Sequence, residues 1–387
     1  MSEWKEYKLG ELIQSVSETY KFKQNEKVVF LNTSDILDGK FLTNSLSEAS
    51  KLPGQAKKRI RKGDILFSEI RPANKRFALV NFDCDNYVVS TKLMVLRCND
   101  NVDNRFIYNY LTSKDVLEYL QMVAEDRSGT FPQITFDIIA NMDIELPSIE
   151  EQKQIGEILT SLDDKIDLLR CENATLEAMA ETLFRQWFVV EAKEEWEEGK
   201  LGDYVDVVDN RGKTPPYIET VTKYPIIEVN ALTGCERHVN YDVVRKYVTK
   251  EVKDTWFRGY IHKNDILIST VGSIGELAMC LEEKGVIAQN VIALHASNIS
   301  SFYLYQYLLL NKDDLKGLDI GSVQPSIKVP HLLKMPILLP PIELMNRYDS
   351  VMTEIIDKET NNYKEIQTLI QTRDGLLPRL MSGEIKI

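Results

Sequence analysis

Two stretches of the chain carry apolar side chains at steps that alternate between four and three residues. The first runs through Ile155, Leu159, Leu162, Ile166, Leu169, Asn173, Leu176, Ala180, Leu183 and Trp187. The second runs through Met345, Tyr348, Met352, Ile355, Glu359, Asn362, Ile366, Leu369, Arg373, Leu376 and Leu380. A mean step of 3.5 is the period of a coiled-coil seam rather than of a surface helix, so each stretch predicts one long helix. About 40 residues at 1.5 Å each span roughly 60 Å. Neither stripe buries its seam alone, and the two are expected to pair antiparallel, with Leu159 near Arg373 and Trp187 near Tyr348. That register sets Asn173 opposite the turn from Glu359 to Asn362, so the polar positions in mid-seam meet. A polar layer costs stability but fixes register and orientation.

Between the helices the pattern shortens and repeats. Trp4-Lys-Glu-Tyr-Lys-Leu9-Gly10 returns as Trp196-Glu-Glu-Gly-Lys-Leu201-Gly202, and Met142-Asp-Ile-Glu-Leu-Pro147-Ser-Ile149-Glu150 returns as Met335-Pro-Ile-Leu-Leu-Pro340-Pro-Ile342-Glu343. The order is globule, helix, globule, helix, with boundaries at 1–147, 148–190, 191–340 and 341–387. Asp64-Ile-Leu-Phe-Ser68 and Asp265-Ile-Leu-Ile-Ser269 read as equivalent buried strands entered from a turn. The fold class is therefore mixed α/β: two similar globules and two long helices forming an antiparallel coiled coil. The globules differ most in their Gly-, Asn-, Pro- and Ser-rich loops, so one scaffold carries two different surfaces.

Composition adds limits. With 387 residues and 43 % hydrophobic content, the chain is long enough for two cores. Its longest apolar run, Phe302 to Leu310, is too short to cross a bilayer, and the N-terminal residues lack the basic-then-apolar profile of a signal peptide. Cys84, Cys98, Cys171, Cys235 and Cys280 form no close pair and read as reduced thiols, which places the chain in the cytoplasm. The net charge of -12 opposes binding to phosphates only if it is evenly spread. Much of the acid lies in the helices and at the junction from Glu191 to Glu198. The first globule instead carries Lys57-Lys58-Arg59-Ile-Arg61-Lys62 and Arg71-Pro-Ala-Asn-Lys75-Arg76.

The end of the first helix, Asn173-Ala-Thr-Leu176-Glu-Ala-Met-Ala-Glu-Thr-Leu183-Phe184-Arg185-Gln-Trp187-Phe188-Val189, resembles the central conserved region of type I restriction-modification specificity subunits. The terminal Thr368-Leu-Ile-Gln-Thr-Arg373-Asp374-Gly-Leu376-Leu377-Pro378-Arg379-Leu380-Met-Ser382-Gly383-Glu384-Ile385 is similar to that family's distal conserved region. Leu-Pro-x-Ile-Glu before each helix also fits, and the resemblance covers essentially the whole chain. It implies two target recognition domains, each binding one half of a bipartite duplex DNA target in the major groove. It further implies a coiled coil that sets the gap between half-sites and docks the modification subunits. Those partners would bring S-adenosylmethionine and methylate adenine, a motor-nuclease subunit can join, and this chain would hold no cofactor and no catalytic centre.

The residues allow a separate look at catalysis. An amino-methyltransferase needs Asn/Asp-Pro-Pro-aromatic, whereas the nearest string is Thr214-Pro215-Pro216-Tyr217, and threonine supplies no amide or carboxylate acceptor. No Gly-x-x-x-x-Gly-Lys phosphate loop is present. Glu282-Glu283-Lys284 has a nuclease-like spacing that is common by chance. His238, His262, His295 and His331 are too dispersed in sequence to form a recognisable metal motif.

Candidate DNA contacts follow from side-chain chemistry, since Arg and Lys reach phosphates while Arg, Lys, Asn and Gln read base edges. They are Lys57, Lys58, Arg59, Arg71, Lys75 and Arg76, with the loop Arg127-Ser128-Gly129-Thr130, in the first globule. The second offers Asn210, Arg211, Lys213, Thr214 and Tyr217, with Ser273, Ser322 and Gln324; Arg211-Gly-Lys213-Thr214-Pro also resembles a stretch recurrent in this family's recognition domains. Phe184 and Phe188 exceed what one narrow seam covers, because positions 187 and 188 point about 100° apart. They are candidates for docking a partner helix, or else for packing on the second globule. The alternative to a DNA-reading subunit is a non-catalytic coiled-coil scaffold whose globules bind protein, and steep salt dependence of binding distinguishes the two.

Overall fold

The computed structural model describes residues 4–127, 132–234, 237–321 and 324–385. Two long helices run through it, α1 (Ile149–Arg185) and α2 (Ile342–Met381). Each begins after a Leu-Pro step that cannot itself be helical. At the start of α1 the Ser148 hydroxyl accepts from the Glu151 N–H (3.2 Å), and Glu150 and Glu151 sit where the helix dipole favours acid. Helix α2 ends just past Pro378, with Gly383 in a left-handed turn (φ 70°).

The chain divides into two compact units, Met1–Leu168 with Glu365–Ile387, and Leu169–Lys364. Each unit contains part of both long helices, running antiparallel.

In the first unit a four-stranded antiparallel sheet places β1 (Ile65–Ser68) between Phe77–Leu79 and β2 (Leu93–Cys98), with Ile13–Ser15 on the far side of β2. All four residues of β1 are buried, as a strand covered on both faces requires. A second sheet, in the order Leu46–Glu48, Lys27–Leu31, Tyr87–Ser90, Ala56–Arg59, contains one parallel pairing. Ile155 and Leu159 of α1 and Leu380 of α2 join the core under the first sheet. At the rim of this pairing Arg373 Nη1 meets Asp163 Oδ1 at 2.7 Å, one turn beyond Leu159, and Lys165 Nζ lies 3.3 Å from Glu365.

The second unit repeats the plan. Here β3 (Ile266–Ser269) lies between Leu277–Met279 and β4 (Val291–Ala296), with Val205–Val208 beyond β4. The parallel pair Ile226–Ile227 and Val286–Ile287 corresponds to the parallel pairing of the first unit. In this unit Asn362 Nδ2 donates to Asn173 Oδ1 at 2.9 Å and to Glu172 Oε2 at 2.9 Å, and the Trp187 and Tyr348 rings lie 6.0 Å apart. Glu359 does not share in that layer. It pairs instead with Arg237 of the globule, because a helix-seam carboxylate only 1 % exposed needs a cation, and among the described residues its ion-pair partner is Arg237.

The docking role expected for Phe184 and Phe188 is corrected by their burial, at 2 % and 4 % exposed. The backbone passes into a π-helical turn over Gln186–Val190. Phe188 packs on Tyr303 (4.9 Å between ring centroids), Tyr348 (5.1 Å) and Trp196 (6.4 Å), and Phe184 packs on Tyr303 (5.4 Å). The aromatic excess of α1 is thus consumed by the helix Ser301–Leu310 and by the chain just downstream.

Candidate nucleic-acid interface

Both units build one loop frame beyond the buried central strand. In the first, the Ile134 N–H donates to Glu69 O (2.9 Å) and the Arg71 N–H to Pro132 O (3.1 Å). In the second, the Ile327 N–H donates to Thr270 O (2.9 Å) and the Gly272 N–H to Pro325 O (3.0 Å). The same two backbone clasps therefore hold different side chains at the ends of β1 and β3.

In the first unit, Arg71 and Lys75 flank the short turn Pro72–Asn74 and both adopt left-handed backbone, with φ of 44° and 53°. Non-glycine residues in that region are uncommon, and they cluster at sites where a loop is held for a purpose. The Ala73 N–H donates to Gln121 Oε1 (3.1 Å), seating the turn on the helix Lys114–Arg127. Arg71, Lys57 and Arg127 are exposed. Lys75 Nζ lies 3.2 Å from Asp38, and Arg59 lies 3.5 Å from Asp85. Two of the basic candidates are anchored inward: Arg76 Nη1 donates to Ser34 O (3.1 Å) and Ile36 O (2.9 Å), and Lys58 Nζ donates to Leu93 O (2.8 Å). Burial lowers the Lys58 ammonium pKa, against the opposing pull of Glu69. Ser128, Gly129 and Thr130 lie outside the described residues, as does Ser322.

The second unit gathers its candidates more tightly. Asp209 grips Arg211 through Nε (2.9 Å) and Nη2 (2.7 Å), while Arg211 Nη1 donates to Thr270 Oγ1 at 3.2 Å. These hydrogen bonds from Arg211 hold the Asp209 carboxyl below its usual pKa range. The guanidinium is thereby fixed against the end of β3, next to the Gly272 turn (φ 81°), where an added Cβ would lie 3.4 Å from the Gln324 amide nitrogen. Arg258 Nη2 donates to Arg211 O (2.8 Å), and Gln289 donates to Thr214 Oγ1 (2.5 Å). Lys213, Thr214, Ser273 and Gln324 are exposed there. Tyr217 is also exposed and lies 5.3 Å from Lys246 Nζ, which approaches its ring face.

Asn210 is a correction, being 1 % exposed. Its side chain donates to Gly259 O (3.0 Å) and Ile287 O (3.2 Å) and accepts from the N–H groups of Arg258 (2.9 Å) and Gly259 (3.2 Å). All its polar capacity is spent in closing the loop, so none is left for a ligand. Arg258 and Gln289 escaped sequence reasoning. A lone arginine and a lone glutamine carry no spacing signal, and only the fold brings them 47 and 75 residues back to Arg211 and Thr214. Guanidinium and primary amide groups on rigid loops suit phosphate oxygens and the paired donor–acceptor edges of G and A.

Comparison with known proteins agrees with this duplicated plan. The chain matches the type I restriction modification DNA specificity domain over residues 1–178 and again over 193–371. It is 32 % identical over 465 residues to the HindI type I restriction enzyme specificity subunit of Haemophilus influenzae, covering 100 % of both chains. The MjaIX specificity subunit of Methanocaldococcus jannaschii is 26 % identical over 310 residues, covering 74 % of this chain and 70 % of that one. Among solved structures, the type I restriction-modification system S subunit from M. genitalium shares the fold, with a TM-score of 0.63 at 17 % identity over 98 % of this chain and 96 % of that one.

Proposed function

Because this chain belongs to the type I restriction-modification DNA specificity family, we propose that it is the non-catalytic subunit that tells a methyltransferase and restriction complex where to act. Residues 1–147 and 191–340 serve as target recognition domains, each reading one half of a bipartite duplex. The segments 148–190 and 341–387 set the distance between the halves. Modification subunits bring S-adenosylmethionine, and a motor-nuclease subunit joins them in the cytoplasm. With Phe184 and Phe188 buried, the exposed Met179, Val189 and Val190 offer the second unit's apolar surface for a partner.

One observation carries the reading: two equivalent backbone clasps carry unlike residues, Arg71 with Gln133 in one unit and Gly272 with Ser326 in the other. A common frame with different residues suits a protein that reads two different half-sites. Contacts through several cations release counterions, so affinity should fall steeply as salt rises. In fluorescence anisotropy with duplex DNA and the assembled methyltransferase, Arg71→Ala and Lys213→Ala should each weaken binding and flatten the log–log salt slope by about 1. Binding that is indifferent to salt and to both substitutions would rule out this role.

A further inference from the structure

The two units share a buried aspartate at the entrance to the central strand, and its surroundings differ. Asp64 in the first unit receives Arg97 Nε on Oδ1 (2.7 Å) and Nη2 on Oδ2 (2.8 Å), and the Arg61 N–H also donates to Oδ2 at 2.8 Å. In the second unit the corresponding residues are Asp265, His295 and His262. The correspondence follows from register: Ile65 pairs with Leu96 and Ile266 with Leu294, so Arg97 and His295 each lie one step beyond. Arg61 and His262 each stand three residues before their aspartate, and in both units the N–H of that residue donates to the carboxylate at 2.8 Å.

The replacement of two arginines by two histidines changes the chemistry. Asp64 has a permanent cation, and a buried carboxylate needs one. Asp265 is 0 % exposed, and its ion-pair partners among the described residues are both imidazoles. His295 Nδ1 lies 2.7 Å from Asp265 Oδ1, and His262 Nδ1 lies 3.8 Å from Oδ2. One donor atom from each of the three residues falls within 4.8 Å of the others. Asn264, in the turn between His262 and Asp265, adopts left-handed backbone (φ 71°).

We infer that His262, Asp265 and His295 form a binding site for a divalent transition-metal ion of the zinc class, confined to the second unit. Two imidazoles and one carboxylate are a donor set that suits zinc, cobalt or nickel rather than magnesium or calcium. Tetrahedral donors about 2.0–2.1 Å from the ion lie roughly 3.3 Å apart. His295 approaches Oδ1 (2.7 Å) and His262 approaches Oδ2 (3.8 Å), so the ion sits between the two carboxylate oxygens and the imidazoles, and the three donors close from within 4.8 Å of one another toward that separation. The carboxylate forms the buried floor and is oriented by the His262 N–H; the imidazoles form an exposed rim, leaving a fourth position open to water. The ion ties the turn before β3 to β4 and supplies the positive charge that Arg97 gives the other unit.

The test is calorimetric titration of the full-length, tag-free protein with Zn²⁺, followed by Co²⁺ titration monitored by visible absorption. One equivalent should bind, with the intense absorption of tetrahedral cobalt. His262→Ala, at an exposed position where folding is preserved, and His295→Gln should each weaken binding at least about a hundredfold, while Arg61→Ala in the first unit leaves it unchanged. Equal binding by the wild type and both histidine variants, or no binding by a wild type of normal circular dichroism, would overturn the inference.

Discussion

Replacing Arg237 with methionine should destabilise the second unit by about 3–5 kcal/mol, measured by urea unfolding at pH 7.5. Arg237 is 1 % exposed and is tied to both long helices. Its backbone N–H donates to Glu177 Oε1 of α1 at 2.7 Å, and its guanidinium pairs with Glu359 of α2. The site is already costly, because Arg237 Nε and Glu359 Oε1 are buried and lack hydrogen-bond partners among the described residues. Removing the cation alone strands a carboxylate whose pKa burial has already raised. Removing both charges, as in Arg237→Met with Glu359→Met, should recover most of the loss, since apolar pairs of similar size often match a buried ion pair. A single variant within about 1 kcal/mol of wild type would mean that the pair does not anchor the globule to the helices.

Phe188→Ala should have an effect of the same order, about 3–5 kcal/mol, through the cavity left among Tyr303, Tyr348 and Trp196. The comparison that gives this number meaning is Val189→Ser. Its neighbour Val189 is exposed, and the change should shift stability by no more than about 0.5 kcal/mol. Chemical denaturation followed by tryptophan fluorescence distinguishes them. If Phe188→Ala unfolds like wild type yet fails to join the modification subunits, the ring belongs to an interface after all.

These two residues also mark how far the sequence could be read. Helix pairing was legible because a 3.5-residue period is local information, and the meeting of Asn173 with Asn362 followed from counting along two stripes. The buried strands Ile65–Ser68 and Ile266–Ser269 were legible from apolar runs behind turn residues. Contacts across long separations were not. Glu359 was legible as a seam position but its partner was not, because Arg237 lies 122 positions away. Asn210 looked like a ligand-facing loop residue because nothing in its neighbourhood announces the carbonyls of Gly259 and Ile287. For Phe188 the choice between a partner helix and the second globule stayed open, because the helix pattern shows that a ring leaves the seam but not what covers it. The dispersed histidines conceal the same limitation, since antiparallel pairing of β3 with β4 brings residue 295 to residue 265.

Methylome sequencing of cells carrying this chain with the proposed modification subunit addresses the central claim most directly. The account predicts adenine methylation within a motif of two defined parts separated by a fixed run of unspecified bases. Exchanging residues 1–147 for those of a relative should change one part and leave the other and the spacing intact. A contiguous motif, no motif, or an exchange that alters both parts at once would contradict it.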